Sequence, residues 1–324
     1  MLATQLDRLK QIIPAGRPVV YFDYAVYGNV GDLLIHKASD HFFQLNRNRI
    51  LDAYNLQNYA KALNKRLPRE AIIVFQGGGN LGDLYPRHDR LRFDVLRAFP
   101  DHRAVILPQT AYYENKRSAR DTVQAYCGFE NLTVCLRDRR SLDLFLEAGA
   151  ERIELLPDMA HVLDGSAFVA AACNGARPVP HGDLNFMRQP WRIEDAQDEV
   201  CPFDLPTIEV WNWPEYLTER EKRRIRFARK LHRWDGKRVH SSLPWRLWRR
   251  SRDLILSRAV HFFAGHERIH TNRLHGGIFG LLCDRDIVFY DTGYGKLAGY
   301  YETWLSDDQR ADFAGAVRRA EAVV

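Results

Sequence analysis

Across residues 18–156, short apolar runs of strand length alternate with segments of helical periodicity, and no other feature limits the possible folds as strongly. Residues 18–24 (PVVYFDY) read as a buried strand, followed by strands at 71–76 (AIIVFQ), 103–107, 132–136 and 153–156. Residues 32–44, 87–99, 116–126 and 139–148 read as helices, the last stopped by Gly149. Repeated βα units of this length imply a parallel sheet covered by helices on both faces.

Between about residues 162 and 179 the chain becomes rich in Ala and Gly and loses periodicity, which puts a domain junction there. Beyond it, residues 184–187 and 207–210 are predicted strands and 215–232 a long basic helix. A helix over 247–262, strand 267–271, helix 275–283, strand 286–290 and helices from 297 onward complete the reading. With 324 residues the chain can build two domains with sizeable cores. The expected class is therefore α/β, with two doubly wound domains facing a cleft and ligands at the C-terminal ends of strands. The domains are expected at 1–163 and 164–324, the last helices being able to pack back on the first domain.

Composition narrows the function classes. At 46% hydrophobic and 27% charged residues, the chain is of the soluble globular kind. No apolar run approaches the roughly 18 residues of a membrane span. Residues 1–13 are amphipathic, with Leu2, Leu6, Leu9, Ile12 and Ile13 at helical spacing, and lack a signal-peptide core, so the protein is expected to stay where it is made. The five cysteines (Cys127, Cys135, Cys173, Cys201, Cys283) form no CxxC pair, and the twelve histidines form no HExxH pattern. Reduced thiols and no metal are expected. Residues 220–258 hold 15 Lys/Arg against the three acids Glu221, Asp235 and Asp253, with Trp234, Trp245 and Trp248 among them. Nucleic acid, anionic lipid and a phosphorylated substrate all fit such a stretch, as does a solvated helix face with a few buried tryptophans.

Several polar and glycine-rich boxes fall after predicted strands and before helices. Thr271-Asn272-Arg273-Leu274-His275-Gly276-Gly277 is the richest. Backbone N–H groups at such a junction favour an anion. Arg273 adds a forked donor, His275 a proton carrier near neutral pH, and Gly276 and Gly277 could let a ligand approach the main chain. A helix start with a solvated Arg and His is the plainer reading. In Tyr27-Gly28-Asn29-Val30-Gly31-Asp32, Asn29 suits a tight turn, and Asp32 could take a proton from a sugar hydroxyl or simply cap its helix. The spacing is not GxGxxG, so a dinucleotide is not indicated.

Residues 76–83 (QGGGNLGD) repeat the pattern, and Gly77, Gly78 and Gly79 point to close packing or ligand approach. No Lys-Ser/Thr follows, as a P-loop would need. Leu107-Pro108-Gln109-Thr110 and Leu136-Arg137-Asp138 end strands with polar side chains, with Ser141 one turn after Asp138. Arg137 either points into the cleft or pairs with Asp138 or Asp158. Asp291-Thr292-Gly293-Tyr294-Gly295-Lys296 is a turn whose lysine suits phosphate.

Taken in order, GNVGD, FQGGGNLGD, LPQT, LRDRRS, LPDMA and NRLHGGIFGLL resemble the polysaccharide pyruvyl transferase family, from residue 21 to about residue 304. The stretch DTGYGKLAGYYETW is similar to the family's bacterial exopolysaccharide members. The resemblance implies a GT-B-like fold of two Rossmann-like domains, the first on the acceptor side and the second on the phosphoenolpyruvate side. It implies transfer of the enolpyruvyl unit of phosphoenolpyruvate to a sugar, closure to a cyclic pyruvate ketal and release of phosphate. Phosphoenolpyruvate is then a co-substrate, and no cofactor is expected. Arg273, Leu274 and His275 would line its site, Arg137 would be the second arginine, and Asp32 the acid near the acceptor. Asn272, Gly276, Asn29, Gly78, Gly79 and Lys296 complete the expected substrate contacts. Residues 183–188 (DLNFMR) depart from the family pattern by lacking an acid soon after the arginine, so no acceptor-side role carries over to Arg188.

Phosphoenolpyruvate carries a carboxylate and a phosphate, which two arginines and a helix N-terminus can clamp. His275 would donate or relay a proton to the methylene carbon or the departing phosphate, and Asp32 would serve as base on the acceptor hydroxyl. Arg273 and Arg137 would stabilise developing charge. Exopolysaccharide units are commonly built on polyprenyl pyrophosphate, so the expected acceptor is a lipid-linked oligosaccharide. Residues 220–258 are then expected on an anionic membrane surface, with the protein cytoplasmic and peripheral at the inner-membrane face and no nucleic acid as partner. Two alternatives are a GT-B glycosyltransferase using a nucleotide sugar and a nucleic-acid-binding protein, which leaves NRLHGG unexplained.

Overall fold

The computed structural model describes residues 2–188, 210–235, 242–291 and 296–316. The first half runs through α1 (Leu2–Gln5), α2 (Leu9–Ile12), β1 (Val19–Phe22), α3 (Val30–Leu45), β2 (Ile50–Tyr54), β3 (Ile72–Phe75) and β4 (Gly78–Leu81). It continues with α4 (Pro86–Ala98), β5 (Ala104–Ala111), α5 (Lys116–Cys127), β6 (Leu132–Leu136), α6 (Arg139–Glu147) and β7 (Ile153–Leu155). The second half contains α7 (Gly165–Ala172), β8 (Asp183–Phe186), β9 (Val210–Trp211), α8 (Trp213–Tyr216), α9 (Glu219–Trp234) and α10 (Leu243–Ala264). Then come β10 (Arg268–Thr271), α11 (Leu274–Leu282), β11 (Asp286–Asp291), α12 (Lys296–Trp304) and β12 (Ala311–Ala316).

Strands β1 to β7 form one parallel sheet of seven strands in the order β2-β1-β3-β5-β6-β7, with β4 also paired to β5. Every residue of β1, β3 and β5 is buried, the environment that runs such as VVYF and IIVF require. Phe22, Phe75 and Ile106 share a core with Leu91 and Val95 of α4 and Val123 and Tyr126 of α5. Strand β5 pairs first with β3 and then, from Gln109, with β4. Gly77 permits this switch, because a Cβ there would lie 2.6 Å from the Pro108 carbonyl oxygen. Pro108 falls within the register shift between β5 and β6, where a missing N–H interrupts no regular ladder.

The chain divides into two compact units: Met1–Tyr27, Asp32–Val162 and Arg220–Asp253 form the first; Gly28–Gly31, Leu163–Glu219 and Leu254–Val324 the second. Arg220–Asp253 belongs with the first unit because its side chains bury against Tyr24 and Ala25, just after β1, and against α3. The Trp248 indole N–H donates to the Ala25 carbonyl at 2.9 Å, and Trp245 packs edge-on to Tyr24 at 4.7 Å. Arg252 and Arg249 donate to Asp40 at 2.6 and 2.8 Å. Trp245 and Trp248 are therefore core residues, while Trp234 and Phe227 are exposed. His36 and His232 are buried in the same cluster, and both have pKa values lowered chiefly by burial.

The second unit holds a parallel five-stranded sheet in the order β12-β11-β10-β8-β9. Helix α11 lies so close to it that a Cβ on Gly277 would meet the Phe289 ring at 2.2 Å, and one on Gly280 would meet Ile287 at 2.1 Å. Strand alternation directs His270 and Tyr290 to the other face. There the His270 Nδ1 lies 2.9 Å from the Tyr290 hydroxyl and its Nε2 3.2 Å from Asp183.

The structure departs from the sequence reading at three places. The predicted helix at 215–232 is interrupted: α8 ends at an extended Leu217 and α9 begins at Glu219. Among the described residues no helix follows Trp304: residues 311–316 form β12, paired through Ile287↔Ala311 and Phe289↔Phe313. Phe313 packs against Tyr301 at 5.3 Å, so tertiary pairing decides an alanine-rich run of weak local preference. Strands β2 and β4 were not expected. Of the strand predicted at 207–210, Val210 opens β9 and residues 207–209 lie outside the described residues.

Candidate functional site

The junction of β10 and α11 is built around Thr271. Its buried hydroxyl donates to the Phe186 carbonyl at 2.6 Å and accepts from the Arg273 N–H at 3.0 Å. These bonds tie the end of β8 to the turn, as does the Asn272 side-chain oxygen, which accepts from the Arg188 N–H at 2.6 Å. Arg273 is the N-cap residue, with φ −115° and ψ 123°. Leu274, His275 and Gly276 then form the opening turn of α11, a helix N-terminus of the kind whose dipole favours an anion. The space on Gly276 and Gly277 is filled by the protein: a Cβ on Gly276 would meet the Thr271 hydroxyl at 2.5 Å. Helix-on-sheet packing thus accounts for the absence of side chains at both positions.

His275 is buried, and its imidazole packs on the turn at residues 28–31. A Cβ on Gly31 would lie 2.5 Å from Nδ1 of His275. The Asn29 side-chain oxygen accepts the Gly31 N–H at 3.1 Å and holds the turn in shape. Two boxes far apart in sequence, Asn29–Gly31 and Arg273–His275, thus meet in the second unit.

In the first unit, the expected residues gather where strands end. Gln76 accepts from the Tyr21 hydroxyl and the Ala25 N–H, both at 3.1 Å, and donates to the Asp32 carbonyl at 3.3 Å. Half-buried Asp32 stands in the first turn of α3, with its Oδ1 3.6 Å from where a Gly78 Cβ would stand; the φ of +134° at Gly78 suits only glycine. Arg137 donates to the Thr110 hydroxyl at 2.9 Å and to Asp158 at 2.5 Å, and its Nη2 lies 3.1 Å from a Cβ position on Gly79. The ion pair with Asp158, left open by the sequence, is formed. Asp138 instead caps α6 through the Ser141 N–H at 2.8 Å and accepts from Thr110 at 2.7 Å.

A polar network that the sequence reading missed lies on the same sheet edge. Asp23, directly after β1, has φ +67°, an uncommon conformation for a residue with a side chain. Its carboxylate accepts from the fully buried Arg92 at 3.0 Å and lies 2.7 Å from Nδ1 of His88. Arg92 also pairs with Asp89 at 3.0 Å, and the Asp89 pKa is raised by burial despite that pair. Asn80 contacts His88 Nδ1 at 2.9 Å and accepts from Arg92 and Gln109. Tyr27 and Tyr85 pack edge-on to the His88 ring at 6.4 and 6.2 Å. Burial raises the Tyr27 pKa, and the negative charge of Asp32, to which the phenol hydrogen-bonds, raises it further. The one available signal was periodicity: His88, Asp89, Arg92 and Val95 share the buried face of α4.

Lys296 opens α12, whose Leu297 and Ala298 N–H groups are capped by Asp291 at 3.2 and 3.0 Å; residues 292–295 lie outside the described residues. Cys127, Cys135, Cys173 and Cys283 are free thiols, and Cys201 lies outside the described residues. Among the described residues, no group of three or more His, Cys, Asp or Glu is placed to hold a metal ion, and no helix is long and apolar enough to cross a membrane.

The profile of a family described as polysaccharide pyruvyl transferase matches residues 29–289. The Bacillus subtilis protein named "Putative pyruvyl transferase EpsO" is 33% identical over 309 residues, covering 94% of this chain and 90% of that one. Pyruvyl transferase 1 of Schizosaccharomyces pombe is 25% identical over 315 residues, covering 89% of this chain and 70% of its own. A functionally uncharacterised Klebsiella pneumoniae protein of known crystal structure superposes with a TM-score of 0.63, covering 96% of this chain and 98% of its own. At 19% identity, that likeness concerns the fold alone.

Proposed function

The chain belongs to the polysaccharide pyruvyl transferase family, and from that premise we propose that it moves the enolpyruvyl unit of phosphoenolpyruvate onto a sugar of an exopolysaccharide repeat unit, closing a cyclic pyruvate ketal and releasing phosphate. The observation that carries this reading is the packing of Gly31 on the His275 imidazole, which joins the two most informative sequence boxes. Arg273 and the opening turn of α11, with Leu274, Asn272 and Gly276, receive the phosphate and carboxylate. Arg137, beside Gly79, is the second arginine, and Lys296 contacts phosphate. His275 carries the proton that goes to the methylene carbon or to phosphate, and Asp32, with Asn29 and Gly78 near the acceptor, takes a hydroxyl proton. The arrangement required is that of GT-B-like enzymes, two Rossmann-like domains working across a cleft.

The acceptor in this reading is a polyprenyl-pyrophosphate-linked oligosaccharide, and the protein works at the cytoplasmic face of the inner membrane. The exposed Trp234 and Phe227 of α9, among its arginines and lysines, support attachment to anionic headgroups. Trp245 and Trp248, being buried, take no part.

The test is phosphate release from phosphoenolpyruvate with lipid-linked oligosaccharides extracted from cells lacking the gene. His275→Ala and Arg273→Ala are each expected to lower turnover by about 10²-fold or more, and near-wild-type turnover in both contradicts the assignment. Thermal stabilisation by a nucleotide sugar, and not by phosphoenolpyruvate, would favour a glycosyltransferase.

A further inference from the structure

We infer that His88, oriented by Asp23, is a second catalytic base, serving one of the two acceptor hydroxyls that close the ketal. The inference rests on the ketal-forming reading above. Joining a diol to phosphoenolpyruvate makes two C–O bonds and one C–H bond, and breaks the π bond between the methylene and its neighbouring carbon together with the bond from that carbon to the phosphate oxygen. Two hydroxyl protons are lost; the balance puts one on the new methyl group and one on the departing phosphate. Asp32 can accept one of them. A carboxylic acid formed there must discharge before it serves again, so a second acceptor on the same sheet edge has a distinct task.

His88 meets the geometric requirements of that task. A carboxylate can only accept, so the 2.7 Å contact with Asp23 sets the proton on Nδ1 and leaves the Nε2 lone pair as the basic site. Among the described residues, Nε2 pairs with none, and the side chain is 10% exposed. Arg92, itself fully buried, fixes the other oxygen of Asp23 at 3.0 Å. The left-handed backbone at Asp23 is the kind of strain that gathers at functional sites. Tyr27 links the two bases, packing its ring on His88 and hydrogen-bonding through its hydroxyl to Asp32. In the step assigned here, Nε2 removes the hydroxyl proton as that oxygen attacks the former vinyl carbon. The Asp23 carboxylate stabilises the imidazolium, which then returns its proton to phosphate or water. Asp23 is a positioning residue, acting through His88.

The experiment uses the full chain, phosphoenolpyruvate and lipid-linked oligosaccharides from cells lacking the gene. His88→Ala is expected to lower acceptor-dependent phosphate release by about 10²-fold or more. The thermal shift caused by phosphoenolpyruvate should persist, and added imidazole should restore part of the rate. Asp23→Asn is expected to displace the acidic limb of the pH–rate profile. His88→Asn, which keeps a polar side chain of similar reach, guards against a fold defect and should be as slow as His88→Ala. Turnover within about threefold of wild type in either His88 variant overturns the inference. So does a loss that imidazole leaves untouched together with an Asp23→Asn profile of unchanged shape, which would mark a bracing role alone. If the wild type itself releases no phosphate, the ketal-forming reading fails, and the inference fails with it.

Discussion

Gly31 carries no side chain because His275 occupies the space: any Cβ would fall 2.5–2.6 Å from the Nδ1, Cβ and Cγ atoms of the imidazole. Gly31→Ala must therefore displace the ring or the turn at a cost of about 1–3 kcal/mol. If His275 carries a reacting proton, a shift of that size is expected to lower kcat by at least about tenfold at temperatures where the variant is still folded, alongside a fall of several degrees in Tm. Unchanged kcat in a folded Gly31→Ala protein contradicts the role given to the imidazole. The box at residues 271–277 was legible in sequence because its parts are contiguous and sit between a strand and a helix. The Asp23–His88 pair was not, since the two residues are 65 positions apart and become partners only when β1 and α4 take their places. The role of Gly276 was ambiguous for a related reason: sequence cannot distinguish a glycine that admits a ligand from one that admits Thr271.

Helix α11 reaches the second sheet only because Gly277 and Gly280 are bare where Phe289 and Ile287 rise to meet them. Gly277→Ala is expected to destabilise the protein by about 1–3 kcal/mol through overpacking, seen as a lower denaturant midpoint. A neutral result would require a looser packing than the 2.2 Å approach to Phe289 allows. In the first unit, Arg252 of α10 is fully buried against Asp40 of α3. Arg252→Ala removes one partner of a buried pair and is expected to cost about 3–5 kcal/mol. Continuous apolar runs made β1, β3 and β6 readable. Strand β4 was hidden in QGGGNL, where pairing with β5 supplies what strand propensity does not. The basic stretch was visible as charge, but its association with β1 and α3 depends on Trp248, Arg249 and Arg252 finding Ala25 and Asp40, which charge counting cannot show.

At the scale of the whole molecule, three buried histidines share one direction of titration. Burial holds His36, His232 and His270 below the ordinary value of 6.5, with Arg252, Arg249 and Lys37 adding to the effect at His36. The unfolded chain then binds these protons more readily than the folded one. Their contribution to stability is fully present above about pH 6.5 and is lost as pH falls through the lowered values. Tm is expected to be level near neutrality and to decline on acidification, and a Tm that rises as pH falls would contradict this account. Attachment through α9 predicts co-sedimentation with vesicles containing anionic lipid at low salt, weakened as salt is raised; absence of binding at low salt would remove the membrane from the proposal. The central claim is the chemistry, and proton NMR of the product tests it most directly. Lipid-linked oligosaccharides from cells lacking the gene, incubated with the protein and phosphoenolpyruvate, should gain a single new methyl resonance from a saturated ketal carbon. A pair of vinyl resonances, or an unchanged sugar, would contradict it.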